Sequence, residues 1–519
     1  MYDATIFQIG NNPQVFVDNA LIEQTDCITR RWHKPRRLSS EPIIKADRPW
    51  EDTLYFTYSN FNVLQDPADG LIKCWYEDIG PVTPHRAHPW KNRMLYAVSS
   101  NGVDFDKPAL GKVFIDGADT NIYAGYVEGA VPDSNNPWAD LGTHSVAVVI
   151  DPTSTDARYK MLFSKAREGR RHEIECGYSA DGINWHRYDE SPSFGTAGTH
   201  LSDVSTITFD PATKLFIHYT RHGGMNSAGI PSNSPGGDWT KGARFGTYFP
   251  GRPDLMNKRR VFRTVSADFL HWTDPVAIST PDEMIDNLDT AHYGLSQFRV
   301  GATHFGTLGV FHYVDNEMEV RLLYSHDGIH FQPADNGRPF LEPRRGEHWD
   351  RHMVSIISPP VRVGDDWYFY HGGSKAHHDW WWAGPYELDH DEARDPASHI
   401  EFGMGVAVLR FEGFASLEAM PPRPGRLVTR PLRFEGGRLR INARTQHPNG
   451  SIRVGLLDSN GAPIAGFEPG NCIAFSGDAV RHEMCWQGQD TLPFANHAGE
   501  YRKLVFEIDQ GEIFSFVVE

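Results

Sequence analysis

A short phrase recurs along the chain and limits what it can fold into. Tyr178-Ser-Ala-Asp181-Gly182-Ile-Asn-Trp185 reads as a strand end, an Asp-Gly turn and the aromatic start of the next strand. Tyr324-Ser-His-Asp327-Gly328-Ile-His-Phe331 nearly repeats it, and Val98-Ser-Ser-Asn101-Gly102-Val-Asp-Phe105 carries Asn in place of Asp. Val265-Ser-Ala-Asp268-Phe-Leu-His-Trp272 lacks the Gly, and Leu409-Arg-Phe-Glu412-Gly413-Phe is a looser fifth copy. Intervals of roughly 60 to 90 residues leave room for about four strands per unit, the content of a propeller blade. A second phrase, Asp66-Pro67, Asp151-Pro152 and Asp210-Pro211, lies between β-rich runs and marks the turn between the first two strands of a unit. Gly364-Asp365-Asp366 serves the last unit. The expected fold is all-β: a five-bladed β-propeller over residues 45–420, preceded by a strand extension over 1–44 that packs on the main body.

After Leu417 the phrase stops. Leu439-Arg-Ile441-Asn-Ala443 and Leu504-Val-Phe506-Glu-Ile508 alternate apolar with polar side chains, and Asn460-Gly461 is a hairpin turn. Residues 421–519 are therefore expected to form a separate β-sandwich packed on the propeller. With 48 Gly and 35 Pro among 519 residues, the composition suits a turn-rich β protein with a large core. The formal charge of −17 argues against nucleic acid as a partner, because neutralising phosphates needs a basic face. No long apolar run predicts a membrane span, and the N-terminus shows no export signal, so a soluble chain is expected. Cys27, Cys74, Cys176, Cys472 and Cys485 are scattered and odd in number, which favours free thiols over disulfides or zinc. No metal or cofactor is expected. The basic stretch Arg30-Arg31-Trp32-His33-Lys34-Pro-Arg36-Arg37 reads as a solvated face.

Strand alternation puts both kinds of tight turn at one end of the blades and the long connections 77–92, 165–174, 221–260 and 371–402 at the other. Long loops on a rigid scaffold are where binding groups collect. The innermost strands begin at that end, so their first residues should converge. These are Asp47, Trp50 and Glu51 in unit one, His144 in unit two and Asp203 in unit three, then Asp289 and Tyr293 in unit four, and Glu347, Asp350, Arg351 and His352 in unit five. Four units deliver a carboxylate, and glycoside hydrolysis uses two opposed carboxyl groups, one protonated and one ionised. Glu51, Asp203 and Asp350, then Asp289 and Asp47, are the candidate catalytic acids. Candidate substrate-binding residues are Trp50, His144, Arg171, Arg260, Tyr293, Glu347, Arg351, His352, His371, His377 and Trp381.

The five units, the run Arg263-Thr-Val-Ser-Ala-Asp-Phe-Leu-His-Trp272, the Asp-Pro turns and the trailing sandwich resemble the five-bladed propeller glycoside hydrolases of families 32, 43, 62, 68, 117 and 130. The sandwich is most similar to that of family 32. The resemblance implies a glycoside hydrolase acting on a terminal sugar or short oligosaccharide, anionic ones included, with Asp47 or Glu51 as base or nucleophile and Asp203 in the place of the acid. Blade two carries His144 where families 32 and 43 carry Asp, and their short catalytic motifs are absent. Two alternatives stand beside it. One is a phosphorylase in which Arg167, Arg170, Arg171, Arg221, Arg259 and Arg260 bind phosphate. The other is a sugar-binding propeller without catalysis.

Overall fold

A computed structural model describes residues 6–80, 92–126, 143–167, 170–195, 201–222, 259–282, 284–287, 289–312, 315–378, 400–434, 437–446, 448–489, 491–492 and 501–519. The side chains of 165–172, 202, 203 and 222 lie outside the description, as do residues 379–399 with Trp381. The fold is all-β, and among the described residues no helix is long and apolar enough to cross a membrane.

Each sequence unit becomes an antiparallel meander. Sheet one runs Phe61–Gln65, Ile72–Asp78, Arg93–Ser99, Ile122–Gly125. Sheet two runs Thr143–Ile150, Tyr159–Arg167, Arg170–Ser179, Trp185–Arg187. In sheet three, Leu201–Asp210, Leu215–His222 and Val261–Ser266 follow one another, with His271–Trp272 and Val276–Ser279 on the outer edge. Sheet four is Thr290–Val300, Thr303–His312 and Glu317–Ser325, edged by Gln332–Pro333 and Pro339–Leu341. In sheet five, which a parallel pairing of Met318 with Met353 joins to sheet four as one ten-stranded sheet, Met353–Ser355 and Val361–Val363 both pair with Asp366–Ser374, and Phe402–Arg410 follows. Its outermost strand, Arg36–Arg37, comes from the start of the chain.

The repeated phrase makes the same turn four times. Ser99, Ser179, Ser266 and Ser325 each donate Oγ–H to the Asx side chain two residues on, at 2.9–3.1 Å. Each serine oxygen accepts the N–H three residues on. The Asx oxygen in turn accepts two further backbone N–H groups. The residue after the Asx has positive φ, which explains glycine at 102, 182 and 328. Phe269 takes φ 73° at the same place without being glycine, and its buried ring packs on Phe216 and Trp272. At Asp66, Asp151 and Asp210 the carboxylate accepts the N–H two residues on, closing an Asx turn between the first two strands.

Three expectations need correction. The fifth phrase is not a turn within sheet five. Glu412 is held by Arg481 and Ser515, and the chain leaves there into Ala415–Ala419, which pairs with Ile28–Trp32. Residues 165–174 are not a long connection either: Arg167 pairs with Arg170, so only two residues separate the paired strands. In sheet one the inner strand begins at Phe61, ten residues later than the Trp50-Glu51 entry read from the sequence.

The C-terminal strands form two further sheets. One has the order Asp478–Glu483, Leu439–Thr445, Gly511–Val518, Ala415–Ala419, Ile28–Trp32, and the other Ile22–Asp26, Gly425–Thr429, Lys503–Asp509, Ser451–Leu457. One apolar cluster takes side chains from both, including Ile441 and Phe516 from the first and Leu427, Val454 and Phe506 from the second. All five cysteines are free, and Cys74, Cys176 and Cys472 are buried.

Candidate active site

The segment Leu54–Asn60, just before the first inner strand, touches all four other meanders. Tyr58 lies between Gly294 and Gly309 of sheet four, where a methyl group on either glycine would overlap its ring. The Tyr58 hydroxyl donates to Thr307 O at 3.4 Å. Ser59 Oγ accepts the Ser205 N–H of sheet three at 2.8 Å. Tyr55 stacks over His144 of sheet two and meets Phe402 of sheet five edge-on, at ring distances of 6.4 and 5.2 Å. The first strands of sheets two, three and four therefore approach one short stretch of chain.

Those three strands share a second feature. Pairing slips between His144 and Ala147, between Leu201 and Ser205, and between His292 and Gly294. A bulge near the start of an inner strand turns a side chain away from the regular alternation, and such bulges gather next to active sites. Ser145, in the first of them, has φ 55°. Around the bulges lie two ionisable clusters.

The first cluster is built on Glu77, 1% exposed, near the end of Ile72–Asp78. Its carboxylate accepts from the side-chain amides of Asn60 and Asn92, from the Ser145 N–H, and from His144 Nδ1 at 2.7 Å. With the Glu77 carboxylate 2.7 Å away, His144 Nδ1 is the donor of this pair, which leaves Nε2 as the ring's other nitrogen. This is a carboxylate-oriented imidazole, able to take a proton at Nε2 and return it. Of this cluster, the sequence marked only His144; Glu77, Asn60 and Asn92 carry no local signal that singles them out.

The second cluster surrounds Tyr293 at the bulge in sheet four. Its hydroxyl lies 2.8 Å from His378 Nε2, and the Arg259 guanidinium sits over its ring at 4.2 Å, with Arg221 at 5.7 Å. Burial alone would raise the hydroxyl's pKa; Arg259, His378 and Arg221 together outweigh it and pull it from 10 to about 7.

The other predicted residues are placed as follows. The Glu51 carboxylate is buried against Lys107 at 2.6 Å and Tyr76 at 2.9 Å, and it caps its own turn through the N–H groups of Asp47 and Arg48. Asp47 is half-exposed and also pairs with Lys107, while the Trp50 indole donates to Asn121. Asp350 is enclosed by Arg37 and Arg344. Asp289 is half-buried just ahead of Thr290–Val300, and Arg260 is half-buried just ahead of Val261–Ser266. Glu347 is exposed beside Arg351 and Lys375. His352 bonds Glu317 at 3.2 Å and stacks on His377 at 3.7 Å. His371 is buried flat against Trp349. The side chains of Asp203 and Arg171, and all of Trp381, lie outside the described residues.

Two buried histidines make stability pH-dependent. Burial holds His218 and His371 neutral, each pushed from 6.5 down to about 3. Between those values the unfolded chain binds protons that the folded chain does not, so folding weakens as pH falls below about 6.5. We expect the unfolding free energy from urea titration to fall between pH 7 and pH 5 by up to about 1 kcal/mol per histidine per pH unit, with a shallower drop in His371→Gln.

No family model matches the chain, and no curated protein does. Solved structures do. An N-acetylgalactosamine deacetylase from F. plautii, in complex with blood group B trisaccharide, matches at 15% identity over 73% of this chain and 96% of its own, with a TM-score of 0.44. A glycosyl hydrolase from Bacteroides ovatus matches at 14% identity over 73% and 94%, TM-score 0.43. A structure from the family 130 mannoside phosphorylases, described as containing glycoside hydrolases that target β-1,2 mannosidic linkages in Candida mannan, matches at 13% identity over 72% and 93%, TM-score 0.41.

Proposed function

We propose that the five meanders are the blades of a propeller closed around Leu54–Asn60, that the last two sheets form a β-sandwich, and that the chain is a glycoside hydrolase acting on a terminal sugar or short oligosaccharide. The observation that carries the site is the single segment Leu54–Asn60. It holds His144 through Tyr55 and Asn60 and reaches Tyr293 through Tyr58, whose rings lie 5.6 Å apart. Aromatic rings, amides and ionisable groups meeting at bulged strand starts provide both stacking surface and proton transfer for a polyol. Asp203, inside the bulge of sheet three, is the carboxylate we assign as acid, and His144, oriented by Glu77, is a second proton-transferring group of the site. Glu51 and Asp350 are assigned to the framework, because each carboxylate is already committed to cations.

A second reading is phosphorolysis. Arg221 and Arg259 beside Tyr293, with Arg260 next in sequence, supply guanidinium groups of the kind that bind phosphate. Purified protein assayed on aryl glycosides and plant or algal oligosaccharides, with and without inorganic phosphate, decides between them. Phosphate-independent release of reducing sugar is the expected result, and a sugar phosphate formed only with phosphate selects the second reading. No turnover on any sugar that binds would leave a binding protein.

A further inference from the structure

Tyr293 differs from its neighbour Tyr58 in a way that burial does not explain. Both rings are buried and lie 5.6 Å apart in one apolar cluster. The Tyr58 hydroxyl donates to a backbone carbonyl, and burial pushes its pKa far up. Tyr293, on the bulge, has its oxygen on His378 Nε2, and three cationic or proton-donating groups reach it from three elements: Arg221 from Leu215–His222, Arg259 from the lead into Val261–Ser266, and His378 from beyond Asp366–Ser374. Tyr58 faces it from the fourth side and stays neutral. His378 is itself held in place, its backbone N–H on Asn316 O at 3.0 Å and its ring on Phe311 at 4.6 Å. A phenol placed so is equipped to carry negative charge.

We propose that Tyr293 is a proton-transferring group of the site, its oxygen taking a proton from a water molecule or a sugar hydroxyl, with Arg259 and Arg221 holding the charge and His378 fixing the oxygen. The bond broken is the O–H of the water or sugar, and the bond formed is the phenolic O–H. The electron pair left on the attacking oxygen forms the new bond to the electrophilic carbon of the substrate as the bond from that carbon to the leaving oxygen breaks; the leaving oxygen takes its proton from the acid assigned above, and the phenolic proton returns to solvent when the product leaves. The role rests on the reading of this site as one that binds a hydroxylated ligand. The balance of charge fits it: burial opposes the anion, the three neighbours outweigh burial, and the hydroxyl comes to about 7, where a proton acceptor is most useful near neutral pH.

The test is a near-ultraviolet titration of phenolate absorbance in the full chain, which needs no substrate and so decides on Tyr293 even if the sugar assay fails. The wild type should show a single-tyrosine step near pH 7, well below the other tyrosines. Tyr293→Phe, which keeps the ring and the packing, should lose the step, and Arg259→Gln should move it up by about one pH unit or more. On a confirmed substrate, the acid limb of the kcat/KM profile should follow the same step, and Tyr293→Phe should lower kcat by about 100-fold or more with KM little changed. Superimposable titrations of wild type and Tyr293→Phe below pH 9 would overturn the proposal. So would a step that is present while the Tyr293→Phe rate profile stays that of the wild type.

Discussion

His144→Ala is expected to lower kcat/KM on a confirmed substrate by about 100- to 10,000-fold, the range in which a positioned acid or base contributes. The loss should come without unfolding, because Glu77 keeps three donors, the Asn60 and Asn92 amides and the Ser145 N–H. Glu77→Gln is expected to lose nearly as much, for a different reason. A side-chain amide cannot accept from His144 Nδ1, two asparagine amides and a backbone N–H together, so the imidazole loses the tautomer and tilt that direct Nε2. Two residues acting as one unit give non-additive losses, and the double variant should be about as slow as either single one. Steady-state kinetics with circular dichroism as the folding control makes the measurement. Rates within about tenfold of wild type in both single variants would make the pair a packing feature and remove it from the site.

How far the sequence shows the fold depends on how far apart the interacting atoms are in the chain. The repeated turn is legible because each of its hydrogen bonds spans two or three residues, as from Ser179 to Asp181 or from Gly182 back to Ser179. The Asx turns at Asp66, Asp151 and Asp210 are legible for the same reason. The first inner strand was misplaced because Tyr55-Phe-Thr-Tyr58 has strand-like composition, yet Ser59 at φ 74° breaks the run and leaves it as a connecting segment. Glu51 looked like a strand-entry acid, and what fixes it is Lys107, 56 residues later. Glu77 was passed over because its partners come from positions 60, 92, 144 and 145, none of which its local sequence marks. Tyr293 was named for its position at the start of a strand. The groups that set its chemistry come from three other stretches of chain.

Asp350→Asn is expected to cost about 3–5 kcal/mol of folding stability, the usual loss when one partner of a buried ion pair is removed. The carboxylate is fully buried, with Oδ2 accepting from Arg37 Nε and Oδ1 from Arg344 Nε, both at 2.7 Å. Arg37 lies on the outermost strand of sheet five and also donates to Glu342 O, while Arg344 donates to Ser40 O. One carboxylate thus fastens the start of the chain to the segment that leads into sheet five, 313 residues away. Burial weakens the protonated form of Arg37, and Asp350 opposes that effect, so without the anion the guanidinium stays buried with its main compensation gone. The neighbouring Arg351 reaches Lys375 O and Glu347. Framework and catalysis give opposite results in one experiment. A framework acid predicts a lower denaturation midpoint for Asp350→Asn, a similar midpoint for Arg344→Ala, and near wild-type kcat in whatever fraction remains folded. Wild-type stability with turnover lost by orders of magnitude would return Asp350 to the reacting centre and reject its assignment as a clasp between the strand Arg36–Arg37 and the segment leading into the last meander.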